Sequence, residues 1–101
     1  MEKILFGWFD ATQAKEFGKA LAQFFMEQLP LDSKATEKKF SAKTQHVLKK
    51  MALRVADFKK TAKLNTYKTA QLGNAFRWTL KDAGYDDAYV ETLTTWLVTR
   101  L

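Results

Sequence analysis

Apolar residues recur three and four positions apart through most of the chain, the spacing that lines up side chains on one face of an α-helix. After Asp10, the residues Ala14, Phe17, Leu21, Phe24, Phe25 and Leu29 keep this rhythm. The Asp10 carboxylate is placed to accept hydrogen bonds from the free amides of a first helical turn. Gln13 follows three residues on, as in a capping box, Phe9 sits where a staple residue would, and Pro30 ends the run. The pattern predicts a helix over residues 11–29.

Asp32 or Ser33 caps a second helix, in which Phe40, Thr44, Val47, Leu48, Met51, Val55, Phe58 and Ala62 continue the rhythm to about Lys63. Unbroken, it would extend roughly 45 Å at a rise of about 1.5 Å per residue. Apolar positions crowd into residues 47–64, whereas residues 33–46 offer a core little beyond Phe40 and alanines. Its first turns are therefore expected to overhang the bundle or bend away from it. Leu64, Asn65 and Thr66 read as a short connection, with Asn65 or Thr66 capping a third helix that carries Ala70, Leu72, Phe76, Leu80 and Ala83. Gly84 supplies a left-handed stop, and Tyr85 beyond it can pack back on Leu80, as in a Schellman motif. Asp86 caps a last helix whose inner face is Val90, Leu93, Trp96, Leu97 and Leu101, with fraying expected in the final turn.

No segment alternates as a half-buried strand does, and there is no internal repeat or low-complexity stretch. Four glycines and one proline leave long helices few interior breakers. The predicted class is all-α: a small bundle of about four helices with one long basic second helix, forming a single helical domain over residues 1–101, with up-and-down order the simplest topology. Ile4, Leu5, Phe6, Trp8 and Phe9 are expected to fold over the same chain as a cover, the alternative being contact with another subunit.

Composition supports a folded domain. Apolar residues are 47% of the 101 and aromatics 14%, too many for a disordered segment. The absence of cysteine excludes disulfides, thiolate ligands and thiol catalysis, and fits a reducing compartment. Asp10 cuts the first apolar run short of a secretory signal, and no run approaches the roughly 18 apolar residues of a membrane span. The expected setting is a soluble protein of the cytoplasm.

Candidate chemistry is sparse. His46, the sole histidine, has Ala42, Lys43, Lys49 and Lys50 as helical neighbours and no carboxylate to orient its ring, so no general base is assigned. Asp82, Asp86, Asp87 and Glu91 are the densest carboxylate group, and they suit capping and the helix dipole better than metal ligation. The glycines never cluster into a phosphate loop, and neither Ser33 nor Ser41 lies in a nucleophile elbow. No catalytic, metal or cofactor residue is assigned, and a binding or structural role is favoured over catalysis.

Charge changes the picture more. Residues 33–68 carry ten lysines and one arginine against Glu37 and Asp57, so this segment accounts for the whole net charge of +6. On a helical wheel Lys34, Lys38, Lys49, Lys60 and Lys63 lie opposite the apolar stripe, with Lys39, Lys43, Lys50 and Arg54 toward one flank. A long amphipathic helix needs a solvated outer face, and lysine supplies one without any ligand. The functional alternative is an anion-binding face of Lys38, Lys39, Lys43, Lys49, Lys50, Arg54 and Lys60, for an acidic protein or a nucleic-acid backbone. Lysine rather than arginine dominates, which suits backbone contact and not base reading. A helix-turn-helix around Gly84 fails because its second helix holds Asp86, Asp87 and Glu91.

On the third helix Tyr67, Gln71, Asn74 and Trp78 form a second stripe beside the core stripe, with Lys68 and Arg77 at its borders. The simpler expectation puts Trp78 and Tyr67 in the core or at its edge. The alternative is a partner surface of Tyr67, Lys68, Asn74, Arg77 and Trp78, residue types common at interface hot spots. Together these features suggest a small non-enzymatic binding or adaptor module, or else a structural subunit or homodimer with aromatics buried between chains.

Overall fold

The computed structural model describes residues 10–30 and 42–101, and all that follows concerns them. They form four helices, α1 (Thr12–Gln28), α2 (Ala42–Thr61), α3 (Thr66–Asp82) and α4 (Asp87–Val98), with no strand among the described residues. The fold is a small all-α bundle, and α2 is its longest described helix. The expected cover over residues 1–9 and the expected overhang before residue 42 lie outside the described residues. Within α2, burial begins at Thr44, inside the first turn.

The helix ends follow from side-chain chemistry. The N-cap of α1 is Ala11, which makes no side-chain cap bond, and not the expected Asp10; Asp10 Oδ1 accepts the backbone N–H of Thr12 at 3.1 Å from one residue earlier, and this hydrogen bonding to Thr12 holds the carboxyl below its ordinary pKa. Asn65 accepts from the Lys68 amide at 2.8 Å and Asp86 from the Tyr89 amide at 2.9 Å, so α3 and α4 start where their caps sit. At the end of α3 the Gly84 amide donates to the Lys81 carbonyl and the Tyr85 amide to the Leu80 carbonyl, with Gly84 at φ 99°. This is the Schellman geometry, and the left-handed φ is one that glycine adopts at little cost. After Val98 the last turn is no longer α-helical.

Leu21, Phe25 and Leu29 of the α1 segment, Val47, Leu48, Met51 and Val55 of α2, Leu72, Phe76 and Leu80 of α3, and Val90, Leu93 and Leu97 of α4 form one buried cluster. Fully burying each such side chain contributes about 1.5–3 kcal/mol. The most intimate helix pair is α1 with α3, not α1 with its sequence neighbour α2 as the simplest up-and-down order implies. Small residues explain the difference: Ala14, Gly18 and Ala22 lie four apart on α1 and are all buried. A β-carbon on Gly18 would collide with the carbonyl oxygen of Leu72. The two backbones can meet only because that carbon is missing.

α2 is fastened by mixed contacts. The Phe17 and Phe58 rings stack at 4.0 Å between centroids, and the Arg54 guanidinium lies 4.1 Å from the centre of the Phe24 ring. Tyr85 donates its hydroxyl to the Leu29 carbonyl at 2.6 Å in the interior, holding the end of α1 to the α3–α4 turn. Three core expectations need correction. Ala70 and Ala83 are exposed: Ala70 falls about 160° around the helix from Leu72, whereas Ala83 shares the core side but is the C-cap, past the last turn of α3. Tyr89, not counted among the inward residues of the last helix, is buried one turn before Leu93.

Candidate functional site

Because Val47, Leu48, Met51 and Val55 turn α2 toward the core, the opposite side must face water. There the structure places Lys43, Lys49, Lys50, Arg54 and Lys60 of the predicted anion-binding face, all exposed. Lys38 and Lys39 lie outside the described residues. Asp57 is the single carboxylate of α2, and it pairs with Lys60 at 3.5 Å, both well exposed. Arg54 is drawn partly aside by Phe24. At the far end Lys59 Nζ donates to the Arg100 carbonyl at 2.9 Å, tying α2 to the segment after α4. Near the middle of the basic face Leu53 stands 71% exposed. No expectation from the sequence singled it out, although its position off the core stripe points to solvent.

Beside this face, between α2 and α4, runs an open groove of about 300 Å³ lined by Gln45, Leu48, Lys49, Ala52, Trp96 and Arg100. The Arg100 guanidinium covers the Trp96 ring at 4.3 Å, and Nη1 donates to the Trp96 carbonyl at 3.3 Å. The apolar rhythm predicts Trp96 on the inner face; the structure leaves it half-buried in this groove wall.

On α3 Trp78 and Tyr67 are expected in the core or at its edge, and the structure places neither inside the core. Trp78 is 53% exposed and Tyr67 37%, since the core side of α3 is filled by Leu72, Phe76 and Leu80. Asn74 is exposed and accepts from Arg77 Nη2 at 3.1 Å, while Lys68 is half-buried in the first turn. Arg77 and Lys81 flank the Trp78 ring at 5.4 and 5.5 Å. Both cations also reach Glu91 of α4, Lys81 at 2.6 Å and Arg77 at 3.7 Å. The Lys81 hydrogen bond, aided by the charges of Lys81 and Arg77, holds the Glu91 carboxyl below its ordinary value. A second open cleft brings Lys15 and Lys19 of α1 opposite Gln71, Asn74, Trp78 and Asp82.

Asp86 caps α4 and Glu91 is held in ion pairs, and His46 is exposed among lysines. Among the described residues no three histidines or carboxylates gather as a metal site requires, and no helix is long and apolar enough to cross a membrane. What the surface offers is one strongly cationic helix face with an apolar groove along its edge, and one aromatic stripe flanked by cations. No family model matches the chain, and no curated protein or solved structure matches it either.

Proposed function

We propose that this chain is a small non-enzymatic binding module that holds a polyanionic partner on the outer face of α2. One observation supports the reading above all: six cationic side chains share α2 with a single carboxylate, Asp57, which is already paired with Lys60. Neighbouring positions on a helix face lie about 5–6 Å apart, well inside the Debye length of about 8 Å at physiological salt. The like charges therefore repel one another, as Lys50 and Arg54 do at four-residue spacing. A bound polyanion relieves that repulsion and releases its own counterions. An acidic protein surface and a nucleic-acid backbone both present this chemistry.

Fluorescence anisotropy with labelled heparin and with a labelled DNA duplex tests the proposal. Binding at low salt that weakens steeply toward physiological salt is expected. No binding of either polyanion at low salt overturns it.

The exposure of Trp78 favours a second reading, in which the α3 stripe is an interface to a second copy of the chain or to another protein. Burying a half-exposed tryptophan with cations at its edge is a common basis of hot spots. Sedimentation equilibrium separates the two occupants: mass rising with concentration, and lost in Trp78→Ala, supports the second copy.

A further inference from the structure

The geometry points to an acidic, amphipathic protein segment as the partner, seated in the groove between α2 and α4 with an apolar side chain against Trp96 and carboxylates on Lys49 and Arg100. This assignment rests on the polyanion reading of α2 and narrows it to one class of macromolecule.

The floor of the groove is Leu48, Ala52 and the Trp96 ring, and its charged rim is Lys49 and Arg100, with no carboxylate among the described lining residues. Lys59 adds a third cation beside Arg100, whose carbonyl it holds. An apolar floor under a cationic rim matches a segment that carries both apolar and acidic side chains, the pattern of an amphipathic helix laid in a groove. It matches a nucleic acid poorly. A sugar-phosphate backbone has no apolar side chain to place against Leu48, Ala52 and the Trp96 ring. At about 300 Å³ the space is at the lower end of ligand sites, suited to anchoring side chains rather than enclosing a small molecule.

Arg100 is also prepared for the task. Its guanidinium is held by the Trp96 ring and by the Trp96 carbonyl. An incoming carboxylate therefore meets a cation that has already lost much of its freedom, and less ordering entropy opposes binding.

The test uses a labelled synthetic helical peptide with leucine and glutamate at three- and four-residue spacing, beside polyglutamate of equal charge, heparin and a DNA duplex. Trp96 is followed by the NMR signal of its indole N–H. The peptide is expected to bind at least ten-fold more tightly than polyglutamate and to shift the Trp96 signal. Ala52→Gln fills the floor without changing charge, at a half-exposed position where glutamine suits a helix. It should weaken the peptide about ten-fold and leave heparin binding unchanged. A peptide no tighter than polyglutamate, an unmoved Trp96 signal, or a Trp96 shift produced by the duplex and not the peptide overturns the inference. Peptide binding that is sensitive to Ala52→Gln, without any heparin binding, upholds the groove and removes the broader α2 reading.

Discussion

The hydroxyls of Thr44 on α2 and Tyr89 on α4 lie 2.9 Å apart, and both residues are buried. This bond helps to seat the first turns of the basic helix on the bundle. Replacing Thr44 by valine keeps the shape and removes the hydroxyl, and is expected to cost about 1–3 kcal/mol, the usual penalty when a buried polar group is left without its partner. Urea unfolding of the two proteins measures it. A loss no larger than that of an exposed threonine, such as Thr99→Val, argues against the role.

The same pair gives the fold an alkaline limit. Burial raises the Tyr89 phenol above its ordinary 10.0, with the Thr44 bond pulling the other way. The fold therefore favours the neutral phenol. The resulting stability is fully present below pH 10 and is lost as pH rises through the higher folded value. Tyr89→Phe removes this ionisation, so its stability should fall less steeply above pH 10 than that of the parent. Superimposable alkaline profiles contradict the prediction.

Gly18 and Gly73 are expected to respond oppositely to alanine. At Gly18 the new carbon meets the backbone oxygen of Leu72 and comes within 3.2 Å of the Ala75 β-carbon, so α1 and α3 must separate. Overpacking of this kind costs about 1–3 kcal/mol and outweighs the gain in helix propensity. At Gly73 the nearest atom is the tip of Val98 at 3.0 Å, a side chain 41% exposed near the end of α4 and able to turn aside. There the propensity gain of roughly 0.5–1 kcal/mol should dominate. Thermal melts of both variants test the contrast.

Trp78→Ala should cost about 1–2 kcal/mol, because only the buried half of the ring contributes. Phe76→Ala, two residues earlier and fully buried, should cost about 3–5 kcal/mol. Equal losses for the two would return Trp78 to the core.

Glu91 should titrate below the ordinary carboxylate value of 4.5. A depressed pKa stabilises the fold above that value, and the contribution disappears as pH falls through the folded pKa. Lys81→Gln removes the principal cause and should move the Glu91 carboxyl signal upward in an NMR pH titration. An unchanged titration would mean that Arg77 alone suffices.

Much of the fold was legible because the signals were local. The caps at Asn65 and Asp86, the Gly84 stop and the apolar stripes each depend on residues within one or two turns, whereas the expected Asp10 cap gave way to Ala11 at the N-cap position. The close approach of α1 to α3 was hidden, since Gly18 owes its role to a carbonyl more than fifty residues away. Tyr89 was hidden for the same reason: its partner, Thr44, belongs to another helix. The exposed lysines of α2 followed from the wheel, whereas the exposure of Trp78 depended on how much of the core Leu72, Phe76 and Leu80 already filled. The groove beside Trp96 arises only where α2 and α4 meet, and no periodicity within either helix announces it.

The most direct measurement is the salt dependence of DNA-duplex binding by the parent chain and by a variant with Lys43, Lys49 and Lys50 changed to glutamine. All three side chains are exposed, so the fold should be retained. Each phosphate that is no longer neutralised reduces the slope of log K against log salt by about 0.9, so a slope shallower by about two to three units is predicted, with weaker binding at every salt concentration. Identical slopes and affinities for the two proteins would show that the outer face of α2 is not where the polyanion sits.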